Sequence, residues 1–299
     1  MTLTPEEIGA KMDALGLWKL IEPYNFAICP KGTVFPYFCL ALRGEIERVK
    51  VRFLMLEGWR TMQDCIRFRN DRNFGYYTSP MEMPHLELVV PAKGTPQLFR
   101  HDPGYMPLPA NEAQRGLAAS LLWEAYGVML RVESDRELPL KFVAEQAVFA
   151  RVENSSGEWH DEPLIIPDPA PYTESVVLSR EDIRKAKDLP LVAEDVLHVD
   201  FRMMFGVMTK EPRPRCVYNL VAIDPKTGEK AIDERASAGT DSGLKGLWEA
   251  MPVRVLKAFV ARGKVPGEIK VRSVRVFRFL RPLCLELPFK LSVQDDLAI

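Results

Sequence analysis

Hydrophobic residues change their spacing several times in the first half of the chain, and each change predicts a different element. Residues 24–56 contain three short runs of β-branched and aromatic residues separated by Pro and Gly, which predicts a meander of strands. Residues 58–69 and 111–133 instead carry apolar side chains at helical spacing, and Asn111 is a typical N-cap for the second of these helices. Polar and apolar residues alternate at the start of residues 85–90, which predicts a further strand. This half therefore predicts an α+β domain with a mostly antiparallel sheet.

The second half of the chain follows a proline-rich stretch and has a different order of elements. Three prolines between Ile166 and Glu174 predict a stiff linker, and Ser179 predicts the N-cap of a short connecting helix. Three strands are then followed by helix, strand, helix and strand, and we expect Pro252 to split or kink the first of these helices. The order βββαβαβ predicts an α/β domain with a mixed sheet.

These patterns divide the chain into two domains, which also suits its length of 299 residues. We expect an N-terminal α+β domain over residues 1–170 and a C-terminal α/β domain over residues 191–299. Residues 171–190 form the predicted linker and connecting helix.

The order of elements in residues 191–299 resembles the ribonuclease H-like fold. Active members of that fold hold two divalent metal ions on acidic residues of the first strand, the first helix and the fourth strand. The resemblance therefore implies roles for Asp200 on the first strand and Glu249 on the first helix. Arg272 and Ser273 stand where the fourth strand should supply a carboxylate, and a cation there would oppose metal binding. We expect the fold without nuclease activity.

The whole chain also resembles an uncharacterised bacterial family of two-domain proteins of unknown function. The resemblance supports the two-domain layout and implies no mechanism. The segments that carry it are LWKLIEPYNFAICPKGTVFPYFC, FGYYTSPMEMPHLELVV, LLWEAYGVMLRVE and VAIDPKTGEKAIDE.

Composition and charge narrow the function without assigning one. Hydrophobic residues make up 47% of the chain and charged residues 27%, which is typical of a soluble globular protein. Because no signal peptide or long apolar stretch is found, we expect a cytoplasmic protein that does not bind membranes. Lys and Arg number 40 against 41 Asp and Glu, so the chain as a whole does not attract nucleic acid. Five cysteines without close pairs indicate a reducing compartment, and among them Cys29 is the candidate for reactivity.

Acidic and histidine side chains are concentrated between two prolines in the segment SPMEMPHLELVVPAKG. Glu82, His85 and Glu87 lie within six positions of one another there, and with His101 they are our candidate ligand-binding residues. Alternation along a strand puts His85 and Glu87 on the face opposite the leucines, whereas Pro84 separates Glu82 from that pair. The motif therefore reduces to one histidine and one carboxylate, which is typical of a cross-strand polar contact.

Other metal-binding patterns are incomplete. The dipeptides His101-Asp102 and His160-Asp161 resemble the pairs that metal phosphohydrolases use, but both lie in sequence typical of loops. Zinc and manganese sites need three or four convergent ligands, which this spacing does not supply. The motifs Cys-x-x-Cys and His-Glu-x-x-His do not occur. The sequence therefore predicts no metal and no cofactor.

Two arginine-rich stretches are candidates for contact with nucleic acid. Arg67, Arg69 and Arg72 are interleaved with aromatic residues, a mixture that can pair phosphates and stack bases. Arg275 and Arg278 belong to a series spaced by three residues on a predicted helix. A solvated helix face explains both stretches equally well, and the neutral chain favours that interpretation.

No motif assigns an activity to the chain. We favour a non-enzymatic or catalytically degenerate protein that binds a protein partner or a small ligand through its N-terminal domain. The alternative is an enzyme of unknown class, or a nucleic-acid-associated protein, with its site between the domains. Convergence of Glu82, His85, Glu87 and His101 within ligand distance would weaken the binding-only hypothesis.

Overall fold

The computed structural model describes residues 3–17, 19, 26–43, 48–69, 83–141, 146–168, 176, 178–239, 243–294 and 296–297. Contacts divide the chain into two compact units. Unit 1 comprises Met1–Ile66, Met83–Asp102 and Pro107–Ala170, and unit 2 comprises Arg67–Glu82, Pro103–Met106 and Pro171–Ile299. The chain is of the α/β class, as predicted, with two separate sheets. The domain boundaries given above stay a prediction.

The N-terminal half contains three α-helices and eight strands among the described residues. The helices are α1 (Pro5–Ala14), α2 (Gly58–Arg69) and α3 (Glu112–Ser134), with a 3-10 turn at Leu138–Leu140. The strands are β1 (Phe26–Cys29), β2 (Tyr37–Arg43), β3 (Val49–Glu57), β4 (His85–Pro91), β5 (Gln97–His101), β6 (Leu108–Pro109), β7 (Ala147–Glu153) and β8 (Trp159–Ile165).

These eight strands form one sheet in the order β6-β5-β4-β3-β2-β1-β7-β8. Neighbouring strands are antiparallel, except that β1 and β7 are parallel. Few residues separate consecutive strands from β1 to β3 and from β4 to β6, whereas α3 lies in the long connection that a parallel pair requires. The mostly antiparallel sheet predicted for this half is confirmed.

One face of this sheet is covered by α1 and α3. Thr4 and Asn111 cap these helices, and each forms a capping box with the residue three positions later, which confirms the N-cap predicted at Asn111. The apolar side chains of α1 and α3 form one core cluster with Leu86, Leu88 and Val90 of β4. The alternate residues of β4 therefore point to the other face of the sheet.

The C-terminal half has the predicted order βββαβαβ, preceded by a short helix. The helices are α4 (Arg180–Lys187), α5 (Gly243–Arg262) and α6 (Val274–Glu286). The strands are β9 (Leu191–Met208), β10 (Cys216–Ile223), β11 (Lys230–Ser237), β12 (Val265–Val271) and β13 (Lys290–Val293).

The sheet of unit 2 has the order β11-β10-β9-β12-β13. Strands β9, β10 and β11 form an antiparallel meander, whereas β12 is parallel to β9 and β13 is parallel to β12. The two parallel connections are made by α5 and α6, as expected for crossovers between parallel strands.

Helices α4, α5 and α6 share one core cluster with Leu197, Val199 and Phe201 of β9. Of the split or kink predicted at Pro252, the split is wrong, because α5 continues through this residue to Arg262, and the kink stays a prediction. Buried side chains before and after Pro252 hold both halves of α5 in that core, and tertiary packing of this kind outweighs the local preference of proline.

A short segment between β5 and β6 belongs to unit 2. This segment, Pro103–Met106, bridges the residues just before β10 through Tyr105 and Arg215. The Cys216 N–H donates to the Gly104 carbonyl at 2.9 Å. The turn at Gly104 therefore extends the sheet of unit 2.

Replacing Gly104 by Ala should destabilise unit 2 more than replacing Gly228 does. Both glycines have positive φ, of 81° and 73°, so alanine costs about 1 kcal/mol at either position. Only at Gly104 would the added Cβ also meet a buried atom, the Cβ of Ala238 at 2.7 Å. We expect a further loss of about 1–3 kcal/mol in the free energy of unfolding for Gly104→Ala, measured by urea denaturation. Equal losses would contradict the described packing of the segment.

Candidate functional site

The face of the first sheet opposite α1 and α3 carries a polar cluster on three neighbouring strands. His85 and Glu87 alternate along β4, and the register pairs His85 with His101 of β5. Arg52 of β3 lies two positions from the residue that pairs with Glu87, which is within reach of a long side chain. The predicted alternation of β4 is confirmed, and the sheet brings His101 and Arg52 to the same face.

The cluster is buried. Exposure is 5% for His85, 3% for Glu87 and 2% for His101. Charged and histidine side chains are rarely buried to this degree unless other groups pair with them. The interpretation of His85 and Glu87 as an ordinary polar pair is therefore incomplete.

The loop predicted around His101-Asp102 and His160-Asp161 is wrong for both histidines. His101 is the last residue of β5, and His160 lies in β8, where it pairs with Val152 of β7. Asp102, Pro103 and Gly104 directly follow His101 and are typical of turns. The sequence pattern therefore predicts a loop where the five-residue strand β5 still continues to His101. His160 is exposed and contacts Glu162 at 3.2 Å, so the two dipeptides have different environments.

Each side chain of the cluster has a defined neighbour. His85 Nδ1 lies 2.8 Å from the Met83 carbonyl oxygen, to which its N–H donates. The His85 and His101 rings stack with centroids 4.1 Å apart and planes 14° from parallel. Glu87 Oε2 lies 2.5 Å from His101 Nε2, and Arg52 Nε donates a short hydrogen bond to Glu87 Oε1.

Several ring nitrogens of the cluster are left without a hydrogen bond. His85 Nε2 and His101 Nδ1 have no hydrogen-bond partner among the described residues, and the close contact between His101 Nε2 and Glu87 lacks hydrogen-bond geometry. One ligand atom from each of His85, Glu87 and His101 lies within 4.8 Å of the other two. Buried polar atoms without partners are rare in folded proteins, and those that remain call for a physical explanation.

The shifted pKa values of His85 and Glu87 keep both side chains in the deprotonated forms that bind cations. Burial, with the charge of neighbouring His101, lowers the pKa of His85 to about 3. Burial alone would raise the pKa of Glu87, but the interactions with His101 and Arg52 outweigh it and lower that pKa to about 2. Around neutral pH, therefore, His85 is neutral and Glu87 is ionised, as metal ligands must be.

Sequence reasoning missed Arg52. The signal was its position inside the otherwise apolar run VRFLML, because a charged residue in a buried strand needs a partner. Glu82, which we named as a candidate, lies outside the described residues.

The carboxylates that the ribonuclease H-like resemblance implies do not form a comparable group. Asp200 alternates with Val199 and Phe201, so it points away from the face of the second sheet that α5 covers. Glu249 lies on α5, 3.6 Å from Lys245. Within the described part of the chain, Asp200 and Glu249 belong to no group of three metal-ligating side chains.

The candidate nucleic-acid contacts lie in different settings. Arg67 and Arg69 are in the last turn of α2, and Arg72 lies outside the described residues. Arg275 is half-buried with its guanidinium carbon 3.7 Å from the Trp248 ring centre, whereas Arg278 is exposed on α6. The cation–π contact draws Arg275 toward the protein interior and away from a phosphate.

Cys29 does not have the environment of a reactive thiol. Burial raises its pKa to about 11, and the charge of Glu162 acts in the same direction. Because the thiolate is the reactive form, Cys29 is expected to be inert near neutral pH.

The structure thus defines an α/β protein with a buried cluster of two histidines and one carboxylate on its first sheet. Residues 182–299 match the family model described as Domain of unknown function (DUF6930). This match covers most of unit 2, and the cluster lies before it in the chain. No curated protein and no solved structure matches the chain. No helix among the described residues is long and apolar enough to cross a membrane.

Replacing His85 by Gln should flatten the pH dependence of stability. An unfolded histidine takes up a proton near pH 6.5, whereas burial lowers the pKa of folded His85 to about 3. Its contribution to the free energy of unfolding is complete above pH 6.5 and falls by about 1.4 kcal/mol per pH unit below it. Urea denaturation of the full chain between about pH 7 and 5 measures this slope.

The matched control for this experiment is His160→Gln, since His160 is exposed on β8. We expect the control to keep the slope of the wild-type chain. An unchanged slope in His85→Gln would show that His85 is not buried in the neutral form.

Proposed function

We propose that this chain binds a divalent transition-metal ion on His85, Glu87 and His101. The observation that carries the proposal is the convergence of three buried ligand atoms within 4.8 Å of one another. Two imidazoles and one carboxylate suit Zn²⁺, Fe²⁺ and related first-row ions, whereas Ca²⁺ and Mg²⁺ prefer sites made of oxygen.

The distances within the cluster fit one ion after a small contraction, and the stacked rings of His85 and His101 would also have to rotate so that both in-plane lone pairs point to the ion. Metal–ligand bonds of about 2.0–2.2 Å place ligand atoms about 3–4.4 Å apart on a single ion. The separations of up to 4.8 Å exceed this range by only a few tenths of an ångström. The close contact between His101 Nε2 and Glu87 Oε2 would be replaced by two bonds to the ion.

The surroundings of the three residues resemble the outer shell of known metal sites. Metal-binding histidines commonly donate their second ring N–H to a carbonyl or a carboxylate, which fixes the ring and its tautomer. The Met83 carbonyl has that relation to His85 and leaves Nε2 as the ligand atom. Arg52 holds Oε1 of Glu87, which leaves Oε2 for the ion.

For unit 2 we propose a ribonuclease H-like domain without nuclease activity. The strand order β11-β10-β9-β12-β13, with β10 antiparallel to its neighbours, supports the fold. The opposite faces of Asp200 and α5, and Arg272 directly after β12, argue against a two-metal centre. We also propose that the chain belongs to a bacterial family of two-domain proteins and is located in the cytoplasm.

Metal analysis of the untagged full chain tests the proposed site. After dialysis against Zn²⁺ or Fe²⁺ we expect about one bound ion per chain, and His101→Gln should lower that occupancy at least about tenfold because it removes a ligand. Elemental analysis by mass spectrometry measures the occupancy. Mg²⁺ and Ca²⁺ should not be retained.

His160→Gln is again the matched control, because His160 also contacts a carboxylate but is exposed. It should retain the ion fully. Equal loss in both variants, or wild-type protein that retains no ion, would overturn the proposal.

A further inference from the structure

We infer that the metal site takes a small oxyanion, a carboxylate or a phosphate group, as an additional ligand, and that Arg52 binds it. This inference rests on the proposed metal site and adds the class of ligand. The observation behind it is that the Arg52 side chain lies beside the buried ligand atoms and is hydrogen-bonded there through only one of its nitrogens.

Arg52 uses only one of its three nitrogens in the cluster. Its Nε donates to Glu87 Oε1, whereas its two terminal nitrogens donate no hydrogen bond to the described residues. The side chain is 30% exposed, whereas that of Glu87 is 4% exposed. Arg52 therefore extends from the buried carboxylate toward solvent, with its terminal N–H donors still available.

Charge balance requires an anion once a metal ion is bound. The negative charge of Glu87 is already matched by Arg52, and an imidazole that binds a metal ion does so as a neutral ring. A divalent ion would leave about two uncompensated positive charges among buried side chains, which is strongly unfavourable. An anionic ligand on the ion removes part of this charge.

Coordination number and the shape of arginine favour an oxyanion. Three protein ligands leave at least one position of a transition-metal ion for a further ligand. The planar guanidinium group donates in a fork that matches carboxylate and phosphate oxygens. One oxygen of the anion can thus bind the ion while another accepts from a terminal nitrogen of Arg52.

Titration of the full chain with Co²⁺ tests this inference, because the visible absorption of Co²⁺ reports its ligands. We would compare Co²⁺ alone with Co²⁺ in the presence of acetate or of inorganic phosphate. Either anion should tighten Co²⁺ binding at least about tenfold, since a charge-assisted hydrogen bond is gained, and should change the absorption bands. The anion that tightens Co²⁺ binding more shows whether the site prefers a carboxylate or a phosphate ligand.

Arg52→Met should abolish the effect of the anion, measured as the ratio of the Co²⁺ affinities of this variant with and without the anion, even though loss of the bond to Glu87 also weakens binding of Co²⁺ alone. Arg52→Lys keeps the charge but loses the fork, so it should retain only part of the effect. The matched control is Arg100→Met, since Arg100 lies on neighbouring β5, is bonded to Asp102 and alternates with His101. This control should respond to anions like the wild-type chain.

The outcomes separate the two proposals. Tight Co²⁺ binding that no anion changes in the wild-type chain, or an anion effect that survives in Arg52→Met, overturns the inference and leaves the metal site standing. Absence of Co²⁺ binding overturns the metal site and the inference together. Where Arg52→Met fails to fold, Arg52→Lys decides the role of Arg52, because a full anion effect in that variant overturns the inference.

Discussion

The first sheet contains a charge that it cannot leave unpaired. Glu87 is 3% exposed, and an isolated carboxylate buried to this degree would cost more free energy than a domain can tolerate. Arg52 on one side and His101 on the other supply the pairing, and each comes from a strand adjacent to β4. The order β5-β4-β3 is therefore a condition both for burying Glu87 and for bringing the two histidines together.

Buried carboxylates are paired differently in the two sheets. In unit 2, Asp195 is bonded by Arg262 through both carboxylate oxygens and by Lys264, so its charge is matched by hydrogen-bonded cations. In unit 1, the pairing of Glu87 leaves His85 Nε2 and His101 Nδ1 without hydrogen bonds among the described residues. A cluster in which every charge is hydrogen-bonded is expected to have a structural role. Buried ring nitrogens that lie close together without hydrogen bonds instead indicate a site for a ligand.

Local patterns predicted the elements of this protein better than its site. The caps Thr4 and Asn111 and the alternation of β4 act over a few residues, so they can be inferred from sequence. The cluster depends on strand register, which pairs His85 with His101 over sixteen positions and brings Arg52 to Glu87 from thirty-five positions away. No spacing rule for metal ligands covers such separations, because a sheet determines them.

The central claim is that His85 and His101 bind the same ion. The chain has four histidines, so two-dimensional ¹H–¹⁵N spectra of the imidazole rings can follow each one. On addition of about one equivalent of Zn²⁺, the account predicts large shifts of one ring nitrogen in each of His85 and His101, with His160 and His198 unchanged. Rings of His85 and His101 that do not respond, or equally small shifts of all four histidines, would contradict it.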